Sequence, residues 1–364
     1  MKKYSLLLVF ICTILFVDAQ ESSFKIIGRV VDAATQQPLS GASAFCPNTS
    51  FGSVCNNDGW FKFNVNAGGY DLVISYTGYE RKVIRIRSQQ ETQDTLYVSL
   101  EQEQRSMETV AVVATNEVMN GWEQYGKLFL ENFIGTSPNA SQCKLLNPQC
   151  LHFFFSKKKN RLKVTAKENL LIRNDALGYD IRYQLDSFNI EFNGSISQYA
   201  GYAFFQEIDT TTFVKNLYQR NRTRSYMGSR LHFMRTLYDS TVNDEGFIVE
   251  KVGGNTSSGK GMAITDLYDS TIYVRDSADD VSIGWDGLYR IHYTLVPPHA
   301  SFLQQHQLPA NTKYQTTLLF VNDSFGIEPN GYFYEELDVM NKGGYWAWKK
   351  IAELLPYDYE PILH

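Results

Sequence analysis

Gly59-Trp60-Phe61-Lys62-Phe63-Asn64-Val65 sets Phe61, Phe63 and Val65 at every second position behind a glycine turn, and this period of two decides the fold of the first hundred residues. The alternation continues outward in both directions. Phe24, Ile26 and Val30 carry it upstream; Leu72, Ile74 and Tyr76, then Leu96, Val98 and Leu100, carry it downstream. Between these runs lie Gln36-Gln37-Pro38, Asn56-Asn57-Asp58-Gly59, Ala67-Gly68-Gly69 and Thr77-Gly78, where glycine or asparagine can take the positive φ of a tight turn. Short alternating segments punctuated in this way predict an antiparallel sandwich of about seven strands.

The same residues carry a family resemblance. Gly28-Arg29-Val30-Val31-Asp32, Pro38-Leu39-Ser40-Gly41-Ala42, Gly52-Ser53, Asp58-Gly59-Trp60-Phe61 and Ile74-Ser75-Tyr76-Thr77-Gly78-Tyr79 together resemble the carboxypeptidase-regulatory-like domain. Met107 to Ala114 is similar to the strand-like tail that follows this domain in TonB-dependent outer-membrane receptors. The resemblance implies a transthyretin-like β-sandwich in an exported protein. It implies no peptidase chemistry, because the module accompanies zinc carboxypeptidases without holding their metal site, and the chain has no H-x-x-E pair for zinc. A receptor barrel is not expected from the remaining sequence.

Export is expected from the amino end. Lys2 and Lys3 precede an apolar run from Leu6 to Val17, and Val17-Asp18-Ala19 offers a small-residue exit, so residues 1–19 read as a signal peptide cleaved near Ala19/Gln20. Cys12 lies inside the apolar run behind bulky Ile11, which argues against a lipid anchor. No second apolar stretch is long enough to span a bilayer. The four remaining cysteines fall into two local pairs, Cys46 with Cys55 and Cys143 with Cys150, and an oxidising compartment makes both pairs disulfide candidates. The formal net charge is -5, and the longest basic run is Lys157-Lys158-Lys159. Nucleic acid is therefore not an expected partner.

The organisation follows: a sandwich over 22–100, a polar linker or edge strand over 101–114, and a larger domain over 115–364. The last region opens with Trp122, Tyr125, Phe129 and Phe133 at helical spacing, ending near Gly135. Alternating strands are predicted over Leu151 to Phe155, Leu162 to Ala166, Tyr179 to Phe192, Ser195 to Ile208, Thr271 to Val274, Gly287 to Leu295, Lys313 to Val321 and near Tyr332 to Leu337. Helices are predicted from about Thr212 to Asp239 and around Tyr345 to Leu355, giving a mainly β chain with a β-rich α+β second domain. Leu177-Gly178-Tyr179, Tyr226 to Phe233, Glu245-Gly246-Phe247, Gly344-Tyr345-Trp346 and Leu355-Pro356 make this region similar to exported bacterial proteins known by their carboxypeptidase-regulatory-like amino-terminal domain alone.

Few constellations point to chemistry. On a single helix from Phe213 to Tyr238, Phe213, Leu217, Leu231 and Tyr238 share a stripe with Arg220, Arg224 and Arg235. The arginines there read first as structural, stems along the core and guanidinium groups on carboxylates such as Glu191, Glu207 or Asp209. The alternative is an anion-gripping cluster of Arg220, Arg224 and Arg235 with His232 nearby. The six histidines, His152, His232, His292, His299, His306 and His364, are scattered, so no metal or other cofactor is expected. Ser257-Ser258 reads as a flexible loop, and Asp276, Asp279 and Asp280 as a solvated turn without calcium-loop spacing. Aromatic residues make up 14% of the chain, with Trp346 and Trp348 close together, which reads first as strand packing and second as a carbohydrate platform. No catalytic residue is identified. The sequence reads as a non-catalytic envelope protein, periplasmic or associated with the outer membrane of a Gram-negative bacterium, with envelope or outer-membrane proteins or glycans as partners. A glycan- or anion-binding module and a hydrolase assembled only in three dimensions are the two alternatives.

Overall fold

The computed structural model describes residues 23–66, 68–87, 95–103, 116–194, 196–253, 260–276, 280–334 and 339–362. The signal peptide expected over 1–19 and residues 104–114 of the expected linker lie outside the described residues. The chain is mainly β.

Seven strands form the amino-terminal sandwich: β1 (Ser23–Asp32), β2 (Ser43–Phe45), β3 (Gly52–Val54), β4 (Trp60–Asn66), β5 (Gly69–Ser75), β6 (Lys82–Arg87) and β7 (Leu96–Leu100). One sheet runs β4-β1-β7 and the other β3-β2-β5-β6. The alternation read from the sequence becomes a core of Ile26, Val30, Phe61, Val65, Leu72, Ile74, Val98 and Leu100, all buried. Each large apolar side chain buried there contributes about 1.5–3 kcal/mol. Gly28 is required on the inner face, since a Cβ there would lie 2.4 Å from the ring of Phe61.

The rest of the described chain builds two further cores. The first packs α1 (Gly121–Phe133) on a six-stranded sheet of β8 (Cys143–Leu145), β9 (Leu151–Ser156), β10 (Arg161–Ala166), β11 (Leu170–Asn174), β12 (Tyr179–Glu191) and β13 (Ile196–Glu207). Phe129 and Phe133 of α1 are fully buried, their rings 5.1 Å apart, and Phe129 lies 4.8 Å from Phe188 of β12. The helix stops where Gly135 takes φ +109 and its N–H returns to the Leu130 carbonyl.

The helix α2 (Thr212–Tyr226) gives Tyr226 to the first core, whereas the second packs α3 (Arg230–Tyr238) against sheets built from β14 (Phe247–Val252), β15 (Gly261–Ala263), β16 (Tyr273–Arg275), β17 (Val281–Ile283), β18 (Asp286–Tyr293), β19 (Gln315–Asn322), β20 (Phe325–Ile327) and β21 (Val339–Gly344). It is α3 that supplies Phe233, Met234 and Leu237 to this core. Two short helices, α4 (Ala300–Gln305) and α5 (Tyr345–Trp348), pack together through Phe302, Tyr345 and Trp348.

Four expectations are corrected. The helix predicted over 212–239 is two helices, broken at Met227-Gly228-Ser229: Gly228 takes φ +69, and a Cβ there would lie 2.5 Å from the ring of Tyr293. The Ser229 hydroxyl then starts α3 afresh by accepting the His232 N–H (3.1 Å). The carboxyl-terminal helix is only Tyr345–Trp348, followed by a 3₁₀ turn at Ile351–Glu353, and the last strand is Val339–Gly344 rather than Tyr332 to Leu337, of which 335–337 lie outside the described residues.

The fourth correction concerns the disulfides: Cys46, Cys55, Cys143 and Cys150 are free thiols. In the β2–β3 hairpin the Cys46 N–H bonds to Phe51 and the Cys55 N–H to Ala42, so the two cysteines stand about four residues apart along the ladder. That offset is about 13 Å, beyond the roughly 7 Å that a disulfide can bridge. Cys143 begins β8 opposite Asn174, whereas Cys150 follows the whole strand and the Asn147-Pro148 turn. Burial pushes the Cys55 thiol up to about 11 and the Cys143 thiol to about 12.

The stretch between Cys46 and Cys55 is instead a seam between the lobes. Asn48 N–H donates to the Ala203 carbonyl (2.7 Å), Phe205 N–H to Thr49 (3.0 Å) and Tyr357 N–H to Asn48 (2.7 Å). Ser50 donates its N–H (2.8 Å) and its hydroxyl to the Asp358 carboxylate, and Phe45 packs on Phe204. The sandwich is thus sewn to β13 and to the carboxyl-terminal segment by backbone bonds.

Candidate functional site

A second seam joins the lobes through side chains. Arg85 of β6 donates to Glu328 (2.6 Å) and Asp71 (3.2 Å); Gly69 N–H also reaches Glu328 (3.2 Å), and the hydroxyl of Tyr332 donates to Asp71 (2.6 Å). Tyr334 completes the group by bonding Glu328 and Arg85. Its ring, 4.4 Å from the Arg85 guanidinium, also lines an open groove of about 1030 Å³.

That groove is acidic. Asp276, Asp280, Asp286 and Asp323 face it with Asn322, Ser282 and Ser324. Of the expected acidic turn, Asp276 and Asp280 are therefore present in the groove wall, and Asp279 lies outside the described residues, as do Ser257 and Ser258. Among the described residues no three His, Cys, Asp or Glu side chains are grouped so as to hold a metal ion. A smaller cleft of about 310 Å³ runs along α1 between Trp122, Leu130, Ile134 and Cys143.

The arginines of the expected stripe separate into two environments. Arg220 and Arg224 lie on the exposed face of α2 with Phe213 and Leu217. His232 and Arg235 are buried on α3. Arg235 donates to the carbonyls of Asn330 (3.1 Å) and Tyr357 (2.9 Å) and pairs with Glu360 (3.4 Å). The helix break resets the phase of the stripe, which is why a single helical wheel merged the two faces.

Sequence reading missed Arg222. Its guanidinium reaches the Leu177 carbonyl (2.7 Å), the Gly178 carbonyl (3.2 Å) and Glu207, and stacks 4.0 Å from the Tyr179 ring. Glu207 was among the carboxylates expected to meet an arginine; the partner is Arg222. The available signal was the series Tyr218, Arg222, Tyr226 at i, i+4, i+8, which marks the buried face of α2.

His232 is held as a neutral base. Its Nδ1 accepts the Gly228 N–H (3.1 Å), so the ring proton sits on Nε2, directed at Glu245 (3.5 Å). Burial, reinforced by Arg235 and Lys349, pushes its pKa down to about 4, so at neutral pH its contact with Glu245 is a dipole–charge contact rather than an ion pair. Lys349 donates to the Ser225 carbonyl at the end of α2 (3.0 Å), and burial pushes it down to about 8.

Two other histidines meet carboxylates: His152 with Glu117 (2.6 Å) and His292 with Glu250 (3.7 Å). His292 also contacts the Thr316 hydroxyl (2.9 Å), its register partner across β18 and β19. Neither the groove nor the cleft is lined by a histidine. Trp346 and Trp348 are buried; Trp346 donates to the Gly228 carbonyl (2.7 Å) and Trp348 to Gln305 (3.1 Å), so both close the core rather than offer a sugar platform.

No curated protein matches the chain. A solved structure of a DUF3823 family protein from Bacteroides ovatus is similar at 11% identity and a TM-score of 0.18, covering 52% of this chain and 83% of that one. Residues 26–112 match the family model of the CarboxypepD_reg-like domain, and the chain therefore carries a CarboxypepD_reg-like domain, the β-sandwich of its amino-terminal lobe.

Proposed function

We propose that this chain is a non-catalytic protein of a Gram-negative cell envelope, in which the sandwich is a fixed lobe on a larger β-rich α+β body and the two together contact other envelope proteins or glycans. The domain limits are those read from the sequence: a signal peptide over 1–19, the sandwich over 22–100, a linker or edge over 101–114 and the body over 115–364. The observation that carries this reading is the double seam between lobes. A loop that inserts its backbone between β13 and residues 357–358, together with the Arg85–Glu328 pair, builds one rigid surface rather than a tethered module. No catalytic step is assigned, since the histidine–carboxylate pairs described above lie outside the groove and the cleft.

Site-specific photo-crosslinking in envelope fractions, with probes on the sandwich and on the body, tests this. The expected result is a processed chain starting near Gln20 whose probes on both lobes capture the same partner. A cytosolic, unprocessed chain, or turnover of a hydrolase substrate panel by the purified protein, would overturn it.

A further inference from the structure

The outer face of the β4-β1-β7 sheet displays a pattern that the fold does not require. Inward positions of these strands are buried, so by the period of two Lys25, Ile27 and Arg29 of β1, Trp60, Lys62 and Asn64 of β4, and Tyr97 of β7 point outward. Register sets three of them in a row: Arg29 is opposite Trp60 on one side and opposite Tyr97 on the other. Its guanidinium lies 5.9 Å from the Trp60 ring, and the two aromatic rings are 6.2 Å apart at 67°. Tyr97 is 74% exposed. Lys62 stands opposite Ile27, about 7 Å along β4 from Trp60.

None of Lys25, Arg29 and Lys62 forms an ion pair among the described residues; Arg29 donates only to the backbone carbonyl of Asp58 (3.0 Å). Among the described residues these three cations on one face meet no carboxylate, a local excess of positive charge in a chain whose net charge is -5, aimed at an anion. The apolar surface there is small, one edge-to-face aromatic pair and Ile27, with Lys25, Arg29 and Lys62 around it. A protein partner would need an apolar centre depleted of charge within about 800 Å² per side. A sugar needs less: single aromatic faces for its C–H surfaces, and a guanidinium fork for a carboxylate.

We propose that the outer face of the β4-β1-β7 sheet, with Arg29 set between Trp60 and Tyr97, binds an acidic oligosaccharide bearing uronic carboxylates. This rests on the interaction reading above and names one partner class for the sandwich.

The test is titration of the purified mature chain with hexameric oligogalacturonate by calorimetry and tryptophan fluorescence, beside its carboxyl-reduced neutral counterpart and a polyglutamate peptide. Expected are binding of the acidic sugar alone, a loss of about tenfold or more in R29Q and in W60A, and no change in the surface control K157Q. Should W60A fail to fold by circular dichroism, K62Q and Y97S replace it. Absence of binding, equal binding of the neutral sugar, equal binding of polyglutamate, or dependence on R220Q/R224Q instead of R29Q would each overturn the assignment. Because the sugar and the purified chain are defined, such a failure leaves the cross-linking result for the whole protein to stand or fall separately.

Discussion

Replacing Glu328 by Ala should loosen the two lobes, and the size of the effect follows from what the carboxylate holds. One oxygen takes the Arg85 guanidinium at 2.6 Å, the other the N–H of buried Gly69 at 3.2 Å, and Tyr334 adds its hydroxyl. At 2.6 Å and an effective dielectric of 20 the gross Coulomb attraction is about 6 kcal/mol, much of it offset by desolvation of a carboxylate that is only 5% exposed. Arg85 is a quarter exposed and retains Asp71 at 3.2 Å after the substitution, which limits the loss. The orphaned Gly69 N–H adds about 1–3 kcal/mol. The net destabilisation is expected at about 2–4 kcal/mol. Urea unfolding followed by tryptophan fluorescence should show one transition in the wild type and a lower midpoint in E328A, with R85Q and E328Q in a double-mutant cycle giving a coupling of about 1.5 kcal/mol or more. A destabilisation below about 0.5 kcal/mol, or additive single substitutions, would refute the account of a structural seam.

Gly228→Ala forces a Cβ to within 2.5 Å of Tyr293 at φ +69 and should cost about 2–5 kcal/mol, read as a fall in Tm, whereas Gly253→Ala, where a Cβ would make only an ordinary 3.7 Å contact with the Lys260 carbonyl, should be near neutral. His232 has a folded pKa of about 4 against an ordinary 6.5, so the unfolded chain binds the extra proton first: stability present above about pH 6.5 is lost as pH falls toward 4, by on the order of 3 kcal/mol, and H232N should flatten that part of the stability–pH curve. Asp32 is held at about 2 by the Tyr79 hydroxyl and the Thr35 and Ala34 N–H groups, so its contribution is present above about pH 4 and lost on the way to pH 2; Y79F should move acid unfolding to higher pH. Alkylation of the denatured mature chain without reductant should label Cys46, Cys55, Cys143 and Cys150, with slow labelling of the native protein because burial raises each thiol; a mass showing two bridges would contradict the hairpin register.

The sequence by itself determined the elements whose signal is local. Alternation in Phe61-Phe63-Val65 and its companions specifies which side chains a strand buries, and the spacing of Trp122, Tyr125, Phe129 and Phe133 does the same for α1, because period alone selects the face. Short strands such as β8, β11 and β14, and the true extents of the last strand and helix, were not legible, since three to six residues carry too little periodicity to separate strand from loop. The two cysteine pairs were legible as neighbours in the chain but not in space: ladder register places Cys46 opposite Phe51, and register is a property of paired strands. A lone glycine at 228 does not by itself end a helix; Tyr293 and Gln315, which leave no room for a Cβ there, show that α3 must turn away from α2 and carry His232 and Arg235 into the core while Arg220 and Arg224 stay outside. The meeting of Arg85 with Glu328, of Ser50 with Asp358, and of Arg29 with both Trp60 and Tyr97 joins residues tens to hundreds of positions apart. Only the tertiary fold decided those contacts, because burying each sheet face fixes which distant strands become neighbours, and no local pattern encodes that choice.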